Sequence, residues 1–185
     1  MTKLAATAAV FLLAALRPEA VQNGTPDFLL SAGRVGPIEY GMLVDDVYHL
    51  FGPQNVPLVA TFPEGSFQPV LEITLPDSPV KPSIIAEIDR SPCGQFALNR
   101  MMVLDPRFRT EDDLGVGTTE AELRGRFSFT ISEEEGCHCA FIKSLNLTFR
   151  FDGQADQKVS SVLVLGDPVA IHAKRCPNVP WPGGQ

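Results

Sequence analysis

Five cysteine and histidine side chains offer the clearest chemistry in this sequence, because thiolates and imidazoles are ligands that zinc binds well. They are Cys137, His138, Cys139, His172 and Cys176. Their spacing is unlike the usual zinc motif, in which two or more residues separate a pair of cysteines. On a strand, His138 would also point away from both of its neighbours. The sequence therefore favours a chain without a metal or other cofactor, and this cluster is the candidate metal site if one exists.

A disulfide framework is the favoured interpretation of the cysteines. An even number of cysteines in an exported chain is typical of disulfide bonding. We expect all four, Cys93, Cys137, Cys139 and Cys176, to be bonded. A direct bond between Cys137 and Cys139 would close a very short loop. The sequence therefore favours Cys93 and Cys176 each pairing with one of these two, and leaves the connectivity open.

No catalytic motif is present. The chain lacks the Gly-x-Ser-x-Gly elbow, a phosphate-binding loop and a dinucleotide fingerprint. His49, His138 and His172 could still join a site whose members meet only in space. The run from Glu133 to Glu135 is more typical of a solvated loop than of an acid–base pair. We predict no catalytic residue, and we keep an exported hydrolase as the alternative, which requires a deep pocket where a histidine meets an acid.

The charge of the chain argues against nucleic acid as a partner. The formal net charge is −7. It falls near −8 once the first 20 residues are removed, because they carry two basic residues and one acidic residue. Nucleic acids and anionic membranes are bound through basic patches. The expected partner is therefore another protein.

The N-terminus has the order of a secretory signal. Lys3 gives a basic start, residues 4–16 are apolar apart from one threonine, and a short polar stretch with small residues follows. The apolar run is shorter than the roughly 20 residues that a membrane-spanning helix needs. We predict a signal peptide over residues 1–20, cleaved after Ala15 or Ala20. With no cysteine nearby to carry a lipid, the expected product is secreted or periplasmic and has no stable membrane anchor.

The first half of the mature chain predicts a helix followed by strands. Residues 21–33 are polar and turn-rich, and indicate a flexible lead-in. Apolar residues recur at helical spacing over 44–51, with Asp45 and Asp46 in the first turn, and Gly52 stops the helix. Strand-like segments separated by glycine and proline follow at 56–62, 70–75, 83–88 and 96–104.

The second half repeats this order. Thr119 and Glu122 fit the capping box that starts a helix. Further strand-like segments follow at 127–132, 137–142, 145–151 and 160–165, and residues 167–185 indicate an irregular tail.

Aligning Gly41 with Gly117 places the two helices in register. We predict an α+β fold built from two tandem units, at 34–110 and 111–166, each a helix followed by an antiparallel meander.

A short turn before the first helix resembles that of small bacterial envelope proteins. It is the run Gly36-Pro37-Ile38-x-x-Gly41-Met42-x-x-x-Asp46-Val47. The chain is similar in this way to the SmpA/OmlA lipoproteins and to the secreted β-lactamase inhibitor protein, which is a tandem pair of helix-plus-meander units. It departs from that pattern at Leu43, where the family turn carries threonine. The run from Val103 to Thr110 also resembles uncharacterised bacterial exported proteins, which implies no activity.

The resemblance implies a protein that acts by binding rather than by chemistry, with inhibition as one form of that role. We predict that Phe96, Phe141, Phe149 and Phe151 lie partly uncovered on one concave face of the sheet and contact the partner. A structural component of the cell envelope is a further alternative.

Overall fold

The computed structural model describes residues 27–61, 67–91, 93–133, 137–153 and 157–167, together with 169, 172–173 and 176–179. The predicted signal peptide and both candidate cleavage positions lie outside the described residues. The elements in chain order are β1 (Leu30–Ser31), β2 (Arg34–Val35), β3 (Ile38–Glu39), α1 (Val44–Phe51), a 3₁₀-helix (Pro53–Asn55), β4 (Leu58–Thr61), β5 (Gln68–Ile73), β6 (Ile84–Arg90), β7 (Phe96–Val103), α2 (Glu120–Arg124), β8 (Ile131–Ser132), β9 (Cys139–Ile142), β10 (Leu147–Phe151) and β11 (Val159–Val164). No described helix is long and apolar enough to cross a membrane.

One large antiparallel sheet dominates the structure, with strand order β4-β5-β6-β7-β11-β10-β9-β8. Strands β4 to β7 form a meander after α1, and strands β8 to β11 form a second meander after α2. The meanders meet where β7 pairs with β11. Strands β1 to β3 form a separate small sheet. The fold therefore has the predicted α+β class, a mainly β body with two short helices.

One face of the large sheet carries the core. Ile73, Ile84, Val103, Val162 and Phe149 lie side by side across five neighbouring strands. All five are fully buried. β-branched and aromatic side chains suit this pleated, covered surface. Because side chains alternate between faces along a strand, this row fixes which residues of each strand point inward.

Helix α1 has the predicted bounds, Val44–Phe51. Asp45 and Asp46 occupy its first turn, where the helix dipole favours negative charge. Val47 is buried in the core. Gly52 ends the helix with a φ of 77°, a left-handed conformation that favours glycine.

The two helices are joined to the sheet by the same pair of backbone hydrogen bonds. The N–H of Gly41 donates to the carbonyl of Leu98 (2.8 Å). The N–H of Leu98 donates in turn to the carbonyl of the residue that follows Gly41 (2.9 Å). In the second half, Gly117 and Val159 form the same two backbone hydrogen bonds, with donor–acceptor distances of 2.7 and 2.8 Å. Both glycines have positive φ, at 75° and 89°. These matching contacts support the alignment of the two halves, and their origin by duplication stays a prediction.

The segment predicted as a flexible lead-in is partly built into the fold, which corrects that prediction. Leu30 lies in β1 and is buried. Its N–H donates to the carbonyl of Arg109 (2.7 Å), far along the chain. The polar, turn-rich character of residues 21–33 concealed this strand, whose Leu30 side chain lies in the core.

A buried carboxylate stabilises the link between β7 and the second half. The side chain of Asp105 is fully buried and forms an ion pair with the guanidinium of Arg107 (2.6 Å). Arg107 also donates to the carbonyl of Pro76 (3.1 Å) and lies 4.6 Å from the ring centroid of Phe28. Burial alone would raise the pKa of Asp105, but the hydrogen bonds from Arg107 and the nearby positive charge outweigh it and lower that pKa.

Candidate functional site

An apolar groove of about 590 Å³ lies between the start of α1 and one end of the large sheet. Its walls include Leu43, Tyr48, Leu58, Phe67, Ile88 and Phe96. Three of these large apolar side chains are mostly exposed, Leu58 at 59%, Phe67 at 65% and Phe96 at 54%. Contiguous exposed apolar surface of this kind marks interaction sites. The groove is therefore the candidate functional site.

The start of α1 forms one wall because the chain there is tied to β7. Leu43 forms an isolated antiparallel bridge with Ala97. Leu43 also occupies the N-cap position of α1, where its side chain makes no capping hydrogen bond. Leu43 thus supplies apolar surface to the groove and no capping hydrogen bond to the helix.

The hairpin between β6 and β7 forms the opposite wall. Phe96 lies two residues before the buried Leu98, so both side chains are on the core face of β7. Phe96 pairs with Arg90 across the hairpin, and the guanidinium carbon of Arg90 lies 5.9 Å from the Phe96 ring centroid. The hairpin turn is closed by a hydrogen bond from the N–H of Ser91 to the carbonyl of Gln95 (2.7 Å). This wall presents one aromatic ring to the groove.

Strand β4 borders the groove and is an edge strand among the described residues. The N–H of Glu72 donates to the carbonyl of Pro57 (3.1 Å). In an antiparallel ladder, hydrogen-bonded and non-hydrogen-bonded residue pairs alternate. The next residue of β4 whose backbone forms hydrogen bonds with β5 is therefore Val59. The N–H and C=O groups of Leu58 and Ala60 therefore point away from β5. Both residues are exposed, and no described strand pairs with β4 on the side away from β5.

The charge at the groove is negative on the helix side. Among the described lining residues, Asp45 is the charged one. It is exposed in the first turn of α1. A bound segment with a basic side chain near this wall would gain a favourable contact.

The four predicted contact phenylalanines do not share one exposed face, so that prediction is wrong in part. Phe96 lines the groove and Phe141 is 50% exposed, but Phe149 and Phe151 are buried at 0% and 4%. Phe149 and Phe151 alternate along β10 with more exposed residues and point into the core. Phe141 pairs with Thr148, which lies between the inward-pointing residues of β10, so Phe141 points to the outer face.

The disulfide connectivity also differs from the favoured one. Cys93 bonds to Cys176, and Cys137 bonds to Cys139. All four cysteines are thus bonded, but the expected crossed pairing is wrong. Residues two apart on an extended strand are about 6.6 Å apart, near the upper limit for a disulfide. Strand β9 begins only at Cys139, and the Cα atoms of Cys137 and Cys139 are 5.4 Å apart.

The residues of the candidate metal cluster have other partners. Its three cysteines are in disulfides. The Nδ1 atom of His138 lies 2.8 Å from a carboxylate oxygen of Glu133, and the Nε2 atom of His172 lies 2.5 Å from the carbonyl of Val179. Within the part of the chain that the structure describes, no three histidine, cysteine, aspartate or glutamate side chains are grouped to hold a metal.

The three histidines lie apart from the groove. His49 is exposed on α1, and neither it nor His138 nor His172 is a described lining residue. His138 does meet an acid, Glu133, but outside the groove. The arrangement that the hydrolase alternative requires, a histidine and an acid in one deep pocket, is not formed by these lining residues.

The fold is similar to that of a solved structure of a bacterial protein. This is the crystal structure of the uncharacterized protein yfeY from Escherichia coli, with a TM-score of 0.52 and 12% sequence identity. The match covers 74% of this chain and 96% of that chain. None of the protein-family models and none of the curated proteins compared with this sequence matches it. At this identity the likeness shows the fold alone, and the resemblance to the SmpA/OmlA and β-lactamase inhibitor proteins stays a prediction.

Proposed function

We propose that this is an exported protein, secreted or periplasmic, that binds an extended segment of another protein in the groove between α1 and β4. The observation that carries the proposal is the groove itself, where Leu58, Phe67 and Phe96 are each more than half exposed. Burial of such side chains against a partner is the main source of binding free energy at an interface.

An extended partner segment fits this groove better than a helix or a small molecule. The outward N–H and C=O groups of Leu58 and Ala60 can pair with a new strand, as in recognition by strand addition. In such a strand, alternate side chains would point to the core face of the sheet and enter the groove beside Leu58. The remaining side chains would face the opposite side of the sheet.

Charge adds a preference within this class of partner. Asp45 stands at the helix side of the groove. A lysine or arginine in the partner segment can approach it, while an acidic residue there would be repelled. The proposed ligand is therefore an extended segment with alternating apolar residues and one basic residue.

Export is supported by two independent features. Residues 1–20 have the composition of a signal peptide. The cysteines form two disulfides, which persist in oxidising compartments such as the periplasm or the extracellular space.

The proposal is tested with fluorescently labelled short peptides of alternating apolar and polar residues, made with and without one lysine. We expect binding by fluorescence anisotropy, tighter for the lysine peptides at low salt. Ala60→Pro removes the outward N–H of β4 and leaves the bonds to β5 intact. This variant should weaken binding about fivefold, the value of one hydrogen bond. Equal affinity for the Ala60→Pro variant and the wild type would contradict pairing at this edge.

A further inference from the structure

The disulfide between Cys93 and Cys176 brings the last described segment of the chain to one wall of the groove. Cys93 directly precedes three residues that line the groove, Gly94, Gln95 and Phe96. The Cα atoms of the two cysteines are 5.8 Å apart, although 83 positions separate them in the sequence. The chain that follows Cys176 therefore starts beside the groove.

The residues directly after Cys176 fold into a turn. The N–H of Val179 donates to the carbonyl of Cys176 (3.0 Å), and the N–H of Cys176 donates to the carbonyl of His172 (2.8 Å). The Nε2 atom of His172 lies 2.5 Å from the carbonyl oxygen of Val179. A turn of this kind keeps the Cα atoms of its first and fourth residues within about 7 Å. Val179, where the described chain stops, is therefore close to Cys176.

The sequence beyond Val179 carries an aromatic side chain that suits an apolar groove. Residues 180–185, which lie outside the described residues, have the sequence Pro-Trp-Pro-Gly-Gly-Gln. Trp181 is the only tryptophan of the chain, and tryptophan combines a large apolar surface with one N–H donor. The prolines at 180 and 182 favour an extended backbone. Such a restricted segment loses less conformational entropy when it docks.

The length of the chain confines Trp181 to the neighbourhood of the groove. A peptide chain spans at most about 3.6 Å per residue, so the Cα atoms of Trp181 and Val179 are within about 7 Å of each other. With the turn and the disulfide added, the Cα atom of Trp181 is within about 20 Å of that of Cys93. The side chain extends this reach further. Trp181 can therefore enter the groove of its own chain.

The groove matches a tryptophan side chain in size and chemistry. Its volume of about 590 Å³ is in the range of sites that hold small ligands. Leu58, Phe67 and Phe96 present mostly exposed apolar surface that an indole ring would cover. The exposed carboxylate of Asp45, on the helix side, can accept a hydrogen bond from the indole N–H.

We propose that Trp181 docks into the groove of its own chain and competes there with the partner segment, an inference whose competition step rests on the proposed function. A short tether gives an effective concentration of a few millimolar, on the order of 5 mM. A contact through one aromatic side chain with a dissociation constant of about 1 mM would then be formed about five times as often as not. The tail thus covers exposed apolar surface until a partner displaces it.

Tryptophan fluorescence of the full, oxidised protein tests the docking without any peptide, because the emission comes from Trp181 alone. We expect emission at a shorter wavelength than that of a free peptide of residues 179–185. Leu58→Gln, in the groove, should shift the emission towards that of the free peptide, whereas Phe141→Ser, on the outer face, should not. Emission that Leu58→Gln leaves unchanged would overturn the proposal. A shift that grows with protein concentration would do so too, since it would indicate docking into a second copy.

Peptide binding tests the competition. Trp181→Ser should bind the labelled peptides about fivefold more tightly than the wild type, because the groove is no longer occupied by the tail. Val169→Ser, which also removes an exposed apolar side chain, is the matched control and should keep the wild-type affinity. Equal affinity for Trp181→Ser and the wild type would overturn the inference and leave the proposed function standing. If neither protein binds a peptide while Leu58→Gln still shifts the emission, the docking is supported and the proposed function is refuted.

Discussion

Removing the two disulfides one at a time should have very different effects on stability. The bond between Cys93 and Cys176 joins residues 83 apart, and the bond between Cys137 and Cys139 joins residues 2 apart. A cross-link stabilises mainly by restricting the unfolded chain, and the effect grows with the loop that it closes. For these loops the chain-entropy relation gives about 4.5 kcal/mol for the long bond and about 1.5 kcal/mol for the short one.

The perturbation is a pair of double variants, Cys93→Ala/Cys176→Ala and Cys137→Ala/Cys139→Ala. The free energy of unfolding is obtained from urea titrations followed by far-ultraviolet circular dichroism. We expect the first variant to lose about 3 kcal/mol more than the second. If the two variants lose the same amount, or if the second is the less stable, the assigned connectivity does not explain how the chain is held together.

Two other predictions concern the scaffold. Asp105→Asn should lower the free energy of unfolding at neutral pH by about 1.5 kcal/mol, because the hydrogen bonds from the partly exposed Arg107 lose their charged acceptor, and urea titration measures this. Since the folded-state pKa of Asp105 is lowered, its contribution is present above the unfolded pKa of about 3.9 and is lost as the pH falls through the lower folded value. Below that pH, acid titration should therefore show a smaller loss of unfolding free energy in Asp105→Asn than in the wild type. An acid profile identical to that of the wild type would rule out this ion pair as the source of the loss. Thr119→Ala, which removes the capping box of α2, should reduce the thermodynamic stability by about 1 kcal/mol, while the exposed Ser128→Ala should have almost no effect. Equal losses in those two variants, measured by urea unfolding, would mean that the cap contributes nothing.

Both helices could be predicted from local patterns because each has a strong local cause. The capping box of Thr119 and Glu122 is present with both of its hydrogen bonds. Helix α1 ends at Gly52, where the sequence places a stop signal. Such features depend on neighbours within one turn, so the sequence contains the whole interaction.

The groove could not be predicted, because its walls come from segments that meet only in space. Leu43 and Leu58 carry no local signal that they stay uncovered, since an isolated apolar residue in a strand or helix start is usually buried. The burial of Phe149 and Phe151 had a signal that was missed. They alternate with Thr148 and Arg150, and this period of two is typical of a strand with one covered face.

The disulfide pairing depended on geometry that the sequence does not contain. The start of strand β9 decides how far apart Cys137 and Cys139 lie. An extended strand would have separated them by about 6.6 Å, and the shorter observed distance arises because the chain is not yet in the strand at Cys137. Element boundaries are among the features that local patterns fix least well.

The most direct test of the proposed binding function compares two phenylalanines of similar exposure. Phe96 lines the groove and is 54% exposed, and Phe141 lies on the outer face and is 50% exposed. Serine is substituted at each position in turn, and the affinity for the best-binding labelled peptide is measured by fluorescence anisotropy. We predict that Phe96→Ser weakens binding about thirtyfold, the loss expected for one central aromatic contact, and that Phe141→Ser stays within about twofold of the wild type. Equal losses in the two variants, or a larger loss for Phe141→Ser, would contradict the assignment of the groove as the binding site.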